Sequence, residues 1–376
     1  MELDLIKSMK RNLSAHEAEE TKNGFRWTQW QKRKLAGLKA YQQENRKIVE
    51  QRAPEINRTV TSTIRSAFRQ GAKSVADAAK KLWNRFGFGR REDTARPIPG
   101  PSGLVPVNDD LPRAPDSNDD HFFKINRRRV DKLTEASKGE LRLARFAMLR
   151  KMNDVYRETI FKAQVYHNSG AASLGQAIDM ATRDFLDRGI DCITYADGRK
   201  VNVASYAEMA LRSAAQSAVF EGEGAKRQEI GVHTVVVSAH NNCSELCLPW
   251  QGKVYIDDVF SGGKPDGKYP LLSTAMAAGL FHPNCRHNMA TYFPGRSRLP
   301  EPVDDEVASA NYDAEQKQRY MERQIRMYKR REAGSIEPEN QEAAKAKVKE
   351  WQKRLRAHLA ENEHLRRDSK REKVIK

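Results

Sequence analysis

Narrow apolar stripes at helical spacing run through most of this chain, and they limit what it can fold into more than any other feature. Leu141, Met148 and Val155 recur every seven residues, with Ala144 and Met152 between them, which predicts a long helix from about Lys138 to His167. Ile56, Val60, Ile64 and Phe68 recur every four, and Val75, Ala79 and Leu82 continue past Gly71, as one amphipathic helix or two short ones. Leu174, Ile178, Ala181 and Phe185 mark another helix, ending near Gly189. Met321, Ile325 and Tyr328 line one C-terminal helix and Val348, Trp351, Leu355 and Leu359 a second, with Gly334 and Pro338 at the break. These last two read as a helical hairpin that docks on a partner, or as a frayed tail.

Stripes of this width do not bury one large core. With 39% hydrophobic and 31% charged residues among 376, the chain fits an extended, partly helical molecule better than a single globule. At roughly 150 residues per domain its length suggests about two or three units. It contains no run of eighteen apolar residues, and Met1-Glu-Leu-Asp-Leu-Ile6 lacks the basic-then-apolar start of a secretory signal, so neither a membrane span nor secretion is expected.

The formal charge is +17 and unevenly placed: +11 over residues 1–90, −4 over 91–120, +2 over 121–313 and +8 over 314–376. A basic chain without a membrane anchor commonly meets a polyanion, nucleic acid first, although lysines and arginines also serve simply to solvate exposed helices. Residues 89–120 hold six of the fifteen prolines with Gly100, Gly103 and several aspartates, the composition of a linker or exposed loop.

The texture changes at Cys192. Ile193-Thr-Tyr195 and Val201-Asn-Val203 flank Asp197-Gly198, which predicts a β-hairpin around a tight turn. Ser205 followed by Glu208 fits a capping box at a helix start, and Tyr206, Met209, Ala210 and Ala214 supply that helix with an apolar face. Val232 to Val237 reads as a buried strand leading into the cysteines. Trp250-Gln-Gly-Lys-Val-Tyr255 reads as a turn entering another strand, with Trp250 and Tyr255 as core residues.

Three of the four cysteines and three of the nine histidines fall between His240 and His287. Cys243-Ser-Glu-Leu-Cys247 has the spacing of a zinc knuckle, and His282-Pro-Asn-Cys285 offers a second pair from a separate loop. Zn²⁺ takes four such ligands in a tetrahedron, so Cys243, Cys247, His282 and Cys285 are the expected structural metal ligands. His287 or His240 could replace one of them or orient them from outside. The alternative is that these are ordinary buried thiols and surface histidines. Cys192 lies outside the cluster, as a small core side chain.

No catalytic residues or organic cofactor site are identified. The strings of zinc deaminases, zincins and phosphate-binding loops are absent from the sequence. The enzyme class left standing is a metal-dependent nuclease built on His282, Asn284 and His287, which would need its own activated water.

From Ile193 to Gly295 the chain resembles the minor capsid protein family 2 of tailed phages. The similarity rests on Thr194-Tyr-Ala-Asp-Gly-Arg-Lys-Val201, Ser205-Tyr-Ala-Glu-Met209, Pro249-Trp-Gln-Gly-Lys-Val-Tyr255 and Gly279-Leu-Phe-His-Pro-Asn-Cys-Arg-His287. It extends over roughly residues 130–370. More distantly the chain is similar to head-morphogenesis proteins related to the F protein of phage Mu, which commonly end the last motif in Cys where this chain has His287. The resemblance implies a non-enzymatic structural component, made in the host cytoplasm and built into the virion capsid near the portal. Portal, major capsid or scaffold proteins are its implied partners, with phage DNA reached through the basic arms.

The expected fold is α+β: mainly helical, with long basic terminal helices and a small central zinc-stabilised module containing β-strands. The expected division is a basic helical arm (1–88), a Pro-rich linker (89–120), a helical region (121–190), an α+β module with the Cys/His cluster (191–300) and a basic helical tail (301–376).

Overall fold

The computed structural model describes residues 1–15, 26–85, 119–168, 173–195 and 197–374. The expected Pro-rich linker lies outside the described residues, apart from its last two positions, which open a helix. The fold is α+β and mainly helical: nine α-helices and five short strands among the described residues. None of the described helices is long and apolar enough to cross a membrane.

The chain forms two compact units, one of residues 1–59, 138–210 and 310–376, the other of 60–137 and 211–309. The first contains α1 (Glu2–Ser14), α2 (Trp27–Ala36), the start of α3 (Leu38–Arg85), most of α4 (Asp119–Asn168), α5 (Leu174–Arg188), and a hairpin of β1 (Ile193–Thr194) and β2 (Lys200–Val201). Most of α8 (Asp305–Gly334) and all of α9 (Pro338–Glu361) complete it.

Apolar stripes build this unit. Ala144, Met148, Met152 and Val155 of α4 are all buried in a cluster with Ile178, Phe185 and Leu186 of α5 and Leu5, Ile6, Met9 and Leu13 of α1. Tyr41 of α3 stacks on Tyr156 of α4 with ring centroids 4.1 Å apart. Cys192 is half-buried against this core, and burial raises its thiol to about 11.

The seven striped residues of α8 and α9 pack together as a hairpin with its own small core: Met321, Ile325 and Tyr328 against Val348, Trp351, Leu355 and Leu359. Asp179 of α5 fixes the turn, accepting from the Ile336 amide at 2.6 Å, the Glu337 amide at 3.1 Å and the Asn340 side chain at 2.8 Å. Helix starts leave amides without intrahelical partners, and here a carboxylate from another helix satisfies them. Lys34 does the converse, donating to the carbonyls of Asn12 and Ala15 at the end of α1, both at 2.7 Å.

The β1–β2 hairpin pairs Ile193 with Val201 and Thr194 with Lys200, and Gly198 sits in its turn at φ 81°. The strand ends at Val201, however, and the next helix, α6 (Val203–Ile230), begins earlier than the Ser205 capping box required. Its cap is Asn202, whose side-chain oxygen accepts from the amides of Ala204 at 3.0 Å and Ser205 at 3.4 Å. Asn caps as well as Ser does and lies three residues nearer the hairpin, so the helix starts there.

The second unit contains the ends of α3 and α6, the start of α4, and a three-stranded antiparallel sheet ordered β4-β3-β5. The strands are β3 (Thr234–Val237), β4 (Val254–Ile256) and β5 (Met289–Thr291), with α7 (Leu272–Ala277) between the last two. Val235 of β3 stands opposite both Tyr255 and Thr291, so the central strand fixes both neighbours. α3 and α6 meet backbone to backbone: a Cβ at Gly71 would lie 2.2 Å from the Val219 carbonyl oxygen, and one at Gly222 would lie 2.1 Å from that of Phe68. Only glycine at both positions permits that approach.

This unit also buries charge. Arg227 of α6, with no exposed surface, donates to Asp257 from Nε at 3.1 Å and Nη2 at 3.0 Å, and to Glu223 from Nη1 at 3.2 Å. Burial, partly offset by Arg227, raises the Glu223 carboxyl from its ordinary 4.5 to about 7.

Candidate metal centre

β3 leads into a loop carrying Cys243 and Cys247, while α7 leads into a loop carrying His282 and Cys285 before β5. Because β3 pairs directly with β5, the two loops leave the same sheet side by side. Each pair is set in a turn: the Cys247 amide donates to the Ser244 carbonyl at 2.9 Å, and the Cys285 amide to the His282 carbonyl at 2.8 Å. The second turn places Asn284 at φ 73°, a left-handed conformation that asparagine tolerates better than most residues.

The Sγ atoms of Cys247 and Cys285 are 3.5 Å apart. One ligand atom each from Cys247, His282 and Cys285 lie within 4.8 Å of one another. Cys243 joins them through its hydrogen bond with Cys247. All three cysteines are buried free thiols. Zinc with Zn–S bonds of about 2.3 Å would hold two sulfurs about 3.8 Å apart, so the observed spacing suits a shared tetrahedral ion.

Thiols packed this closely do not titrate alike. Hydrogen bonds from Cys243 and then Cys285 pull the Cys247 thiol far down, towards thiolate, while the same bonds hold the other two up. The His287 amide also donates to Cys285 Sγ at 3.4 Å, a bond that favours negative charge on the sulfur. A cation at the centre would convert this shared proton arrangement into thiolates throughout.

The three histidines play different parts. His282 is tied at Nδ1 to the Pro283 carbonyl at 2.8 Å and at Nε2 to the Ser244 hydroxyl at 2.9 Å. A carbonyl accepts only, so Nδ1 carries the proton and Nε2 keeps the lone pair that a metal needs. His287 is 1% exposed, with Nε2 3.1 Å from Gln251 Oε1 and Nδ1 3.3 Å from Cys285 Sγ. Gln251 Oε1 also accepts from the His240 amide at 3.2 Å, so it acts as acceptor towards both histidines. His240 stacks on the His287 ring at 4.2 Å, its Nε2 is buried without a partner, and burial lowers its pKa.

The structure thus gathers all six Cys and His residues singled out in the sequence. Of the nuclease trio, both histidines lie in this cluster, and all three side chains already have protein partners. His282 is held by Ser244 and Pro283, Asn284 is exposed and accepts from Arg212 at 3.4 Å, and His287 points inward at Gln251 and the thiols. Sequence reasoning missed Ser244 and Gln251. Ser244 sits between the knuckle cysteines and Gln251 beside Trp250, but neither has a spacing that marks it as a hydrogen-bond partner of a histidine. Trp250 and Tyr255 do pack against this core, and the Tyr255 hydroxyl donates to the Trp250 carbonyl at 2.9 Å.

The family model for phage minor capsid protein 2 matches residues 129–360, a span that includes the whole cluster. The chain is similar to a structural protein of Lactococcus phage LL-H, 23% identical over 383 residues that cover 99% of this chain and 94% of that protein. A structural protein of Lactococcus phage mv4 is 32% identical over 114 residues, 28% of this chain and 93% of that protein. No solved structure matches the chain.

Proposed function

Because this chain belongs to the phage minor capsid protein 2 family, we propose that it is a structural component of a tailed-phage virion, built into the head near the portal during assembly. It is made in the host cytoplasm and meets portal, major capsid or scaffold proteins there. The carrying observation is similarity along almost the whole chain to a phage structural protein, the LL-H relative. The charge of the terminal segments, +11 over residues 1–90 and +8 over 314–376, supports a further contact with packaged DNA.

In this reading the cysteine centre is structural. Cys243, Cys247, His282 and Cys285 hold Zn²⁺, and His287 orients Cys285 from outside the coordination shell. Four ligands from two loops leave no open position for a reacting water, so the ion joins the loops and does no chemistry on a substrate.

Two measurements test this. Purified protein should co-sediment with procapsids that contain portal and fail to do so with portal-free shells; equal recovery from both would remove the portal assignment. Metal analysis should find one zinc per chain, lost on His282→Ala and kept on His287→Ala. The reverse pattern would exchange the two histidines, and zinc-free wild-type protein would end the metal reading.

A further inference from the structure

The first unit carries a cleft of about 640 Å³ unrelated to the cysteines, and its walls are unusually cationic. Six basic side chains line it: Arg188 at the end of α5, Lys200 of β2, Arg323, Arg326 and Arg330 of α8, and Lys373. Arg323, Arg326 and Arg330 follow one another at three- and four-residue spacing, so one face of α8 presents all three.

The cleft also contains Glu2, Asp187 and Asp191, of which the two aspartates are ion-paired and Glu2 is hydrogen-bonded to neutral groups. Asp187 is paired with Arg331, Asp191 with Lys151 at 2.9 Å, and Glu2 accepts from the Asn202 side chain at 2.9 Å and the Ile190 amide at 3.4 Å. Arg330 is spent on the carbonyls of Leu186 and Asp187. Among the described residues, Arg188, Lys200, Arg326 and Lys373 have no hydrogen-bonded or ion-paired acid, and Arg323 lies only over the Tyr320 ring.

Arg326 is the most informative. Burial pushes its pKa down, and the carboxylates acting on it, Glu2 and Glu208 from other elements and Glu322 one turn back on α8, do so without a hydrogen bond. Arg326 is half-buried in the cleft wall, and a bound oxyanion would give its guanidinium hydrogen-bond acceptors. The first turn of α6, where Ala204 and Ser205 reach the wall, adds the positive end of a helix dipole.

We infer that this cleft is a binding site for phosphate-class oxyanions, centred on Arg326 and Arg323 with Arg188, Lys200 and Lys373 at its rim. Planar guanidinium forks match phosphate oxygens two at a time. The phosphate is presented either by a nucleic-acid backbone or by a free polyphosphate. This inference depends on neither the zinc centre nor the portal assignment.

The full-length protein is titrated with a fluorescent 20-base-pair duplex by anisotropy, with inorganic pyrophosphate and poly-glutamate as competitors. The R323Q/R326Q variant should bind the duplex about tenfold more weakly, with a salt dependence shallower by about one unit for each phosphate it no longer neutralises. Variant K349Q/R356Q, which removes the same charge from exposed positions on α9, should bind like the wild type. R188Q/K200Q, altering only exposed side chains, carries the same expectation of weaker binding if the α8 variant misfolds. Direct binding of pyrophosphate by calorimetry at millimolar or lower concentration, lost in R323Q/R326Q, with no measurable duplex binding would assign the site to free polyphosphate. Equal weakening in the α9 control, or none in either cleft variant, would overturn the site. Displacement by poly-glutamate at lower charge concentration than pyrophosphate would overturn its preference for phosphate.

Discussion

The two units are stabilised by different means. The first joins long helices around one large apolar cluster, from Leu5 and Ile6 through Met148 and Met152 to Phe185, with buried polar groups such as Lys34, Asp179 and Arg330 bonded to backbone at helix ends and turns. The second has a sheet of strands three or four residues long, and its interior contains three thiols, a buried histidine and the Arg227–Asp257–Glu223 ion cluster. Where stripes are long, area removed from water does the work, and side chains of similar size are interchangeable. Where elements are short, stability shifts to specific pairings that tolerate little substitution.

That contrast can be broken at its strongest point first. If the proposed zinc is bound, Cys285→Ser should cost the second unit upward of about 5 kcal/mol, since structural zinc sites contribute folding energy outright. Hydrogen exchange should show β3, β4 and β5 losing protection while α1 and α9 keep theirs; uniform loss over both units would contradict the division of labour. Arg227→Met should follow, at about 3–5 kcal/mol in denaturant melts, because it leaves two buried carboxylates without their cation. Met148→Ala in the first unit should cost about 2–5 kcal/mol, whereas Met148→Leu should cost less than about 1.5 kcal/mol. A severe loss from the leucine variant would show that the helical core is as exacting as the cysteine cluster.

Next is a pH effect. Glu223 titrates at about 7 in the folded chain and near 4.5 when unfolded. Between those values the folded state holds a proton that the unfolded state has released, so stability falls as pH rises through that window and is level above it. The change is at most about 3 kcal/mol. Glu223→Gln should flatten the slope in melts at fixed pH, and a slope that survives would assign it to another group. The smallest effect belongs to Asp179→Ala, which should cost about 1–2 kcal/mol through loss of the turn amides it satisfies. Its check is proteolysis at the α8–α9 turn, which should quicken.

Much of the first unit was legible because its determinants are local. The stripe on α4 and the seven residues of the α8–α9 hairpin are side chains that helical spacing already aligned. Within the expected helical arm the apolar face of α1 was not singled out, although Leu5, Ile6, Met9 and Leu13 lie on one helical face; at 13 residues its stripe is short. In the second unit, Cys/His spacing found the cluster and the β-branched run found β3. The buried ion cluster stayed hidden, since Glu223, Arg227 and Asp257 look in sequence like any solvated charges. So did the Gly71–Gly222 approach, which joins residues 151 positions apart. Ser205 lost the cap to Asn202 because two adequate capping residues compete within one turn, and hairpin length decided between them.

The order β4-β3-β5 carries a consequence for how such chains can diverge. Val237 is followed by Cys243 after five residues, and Cys285 by Met289 after three, so each half of the centre hangs on a short tether from a paired strand. A single-residue insertion in either tether would displace a cluster cysteine by up to about 3.4 Å along the chain, about the whole spacing between the Cys247 and Cys285 sulfurs. The segment from Asp258 to Pro270 bears none of the cluster residues and can lengthen without moving them. Gaps in an alignment of related chains should therefore collect there and spare both tethers.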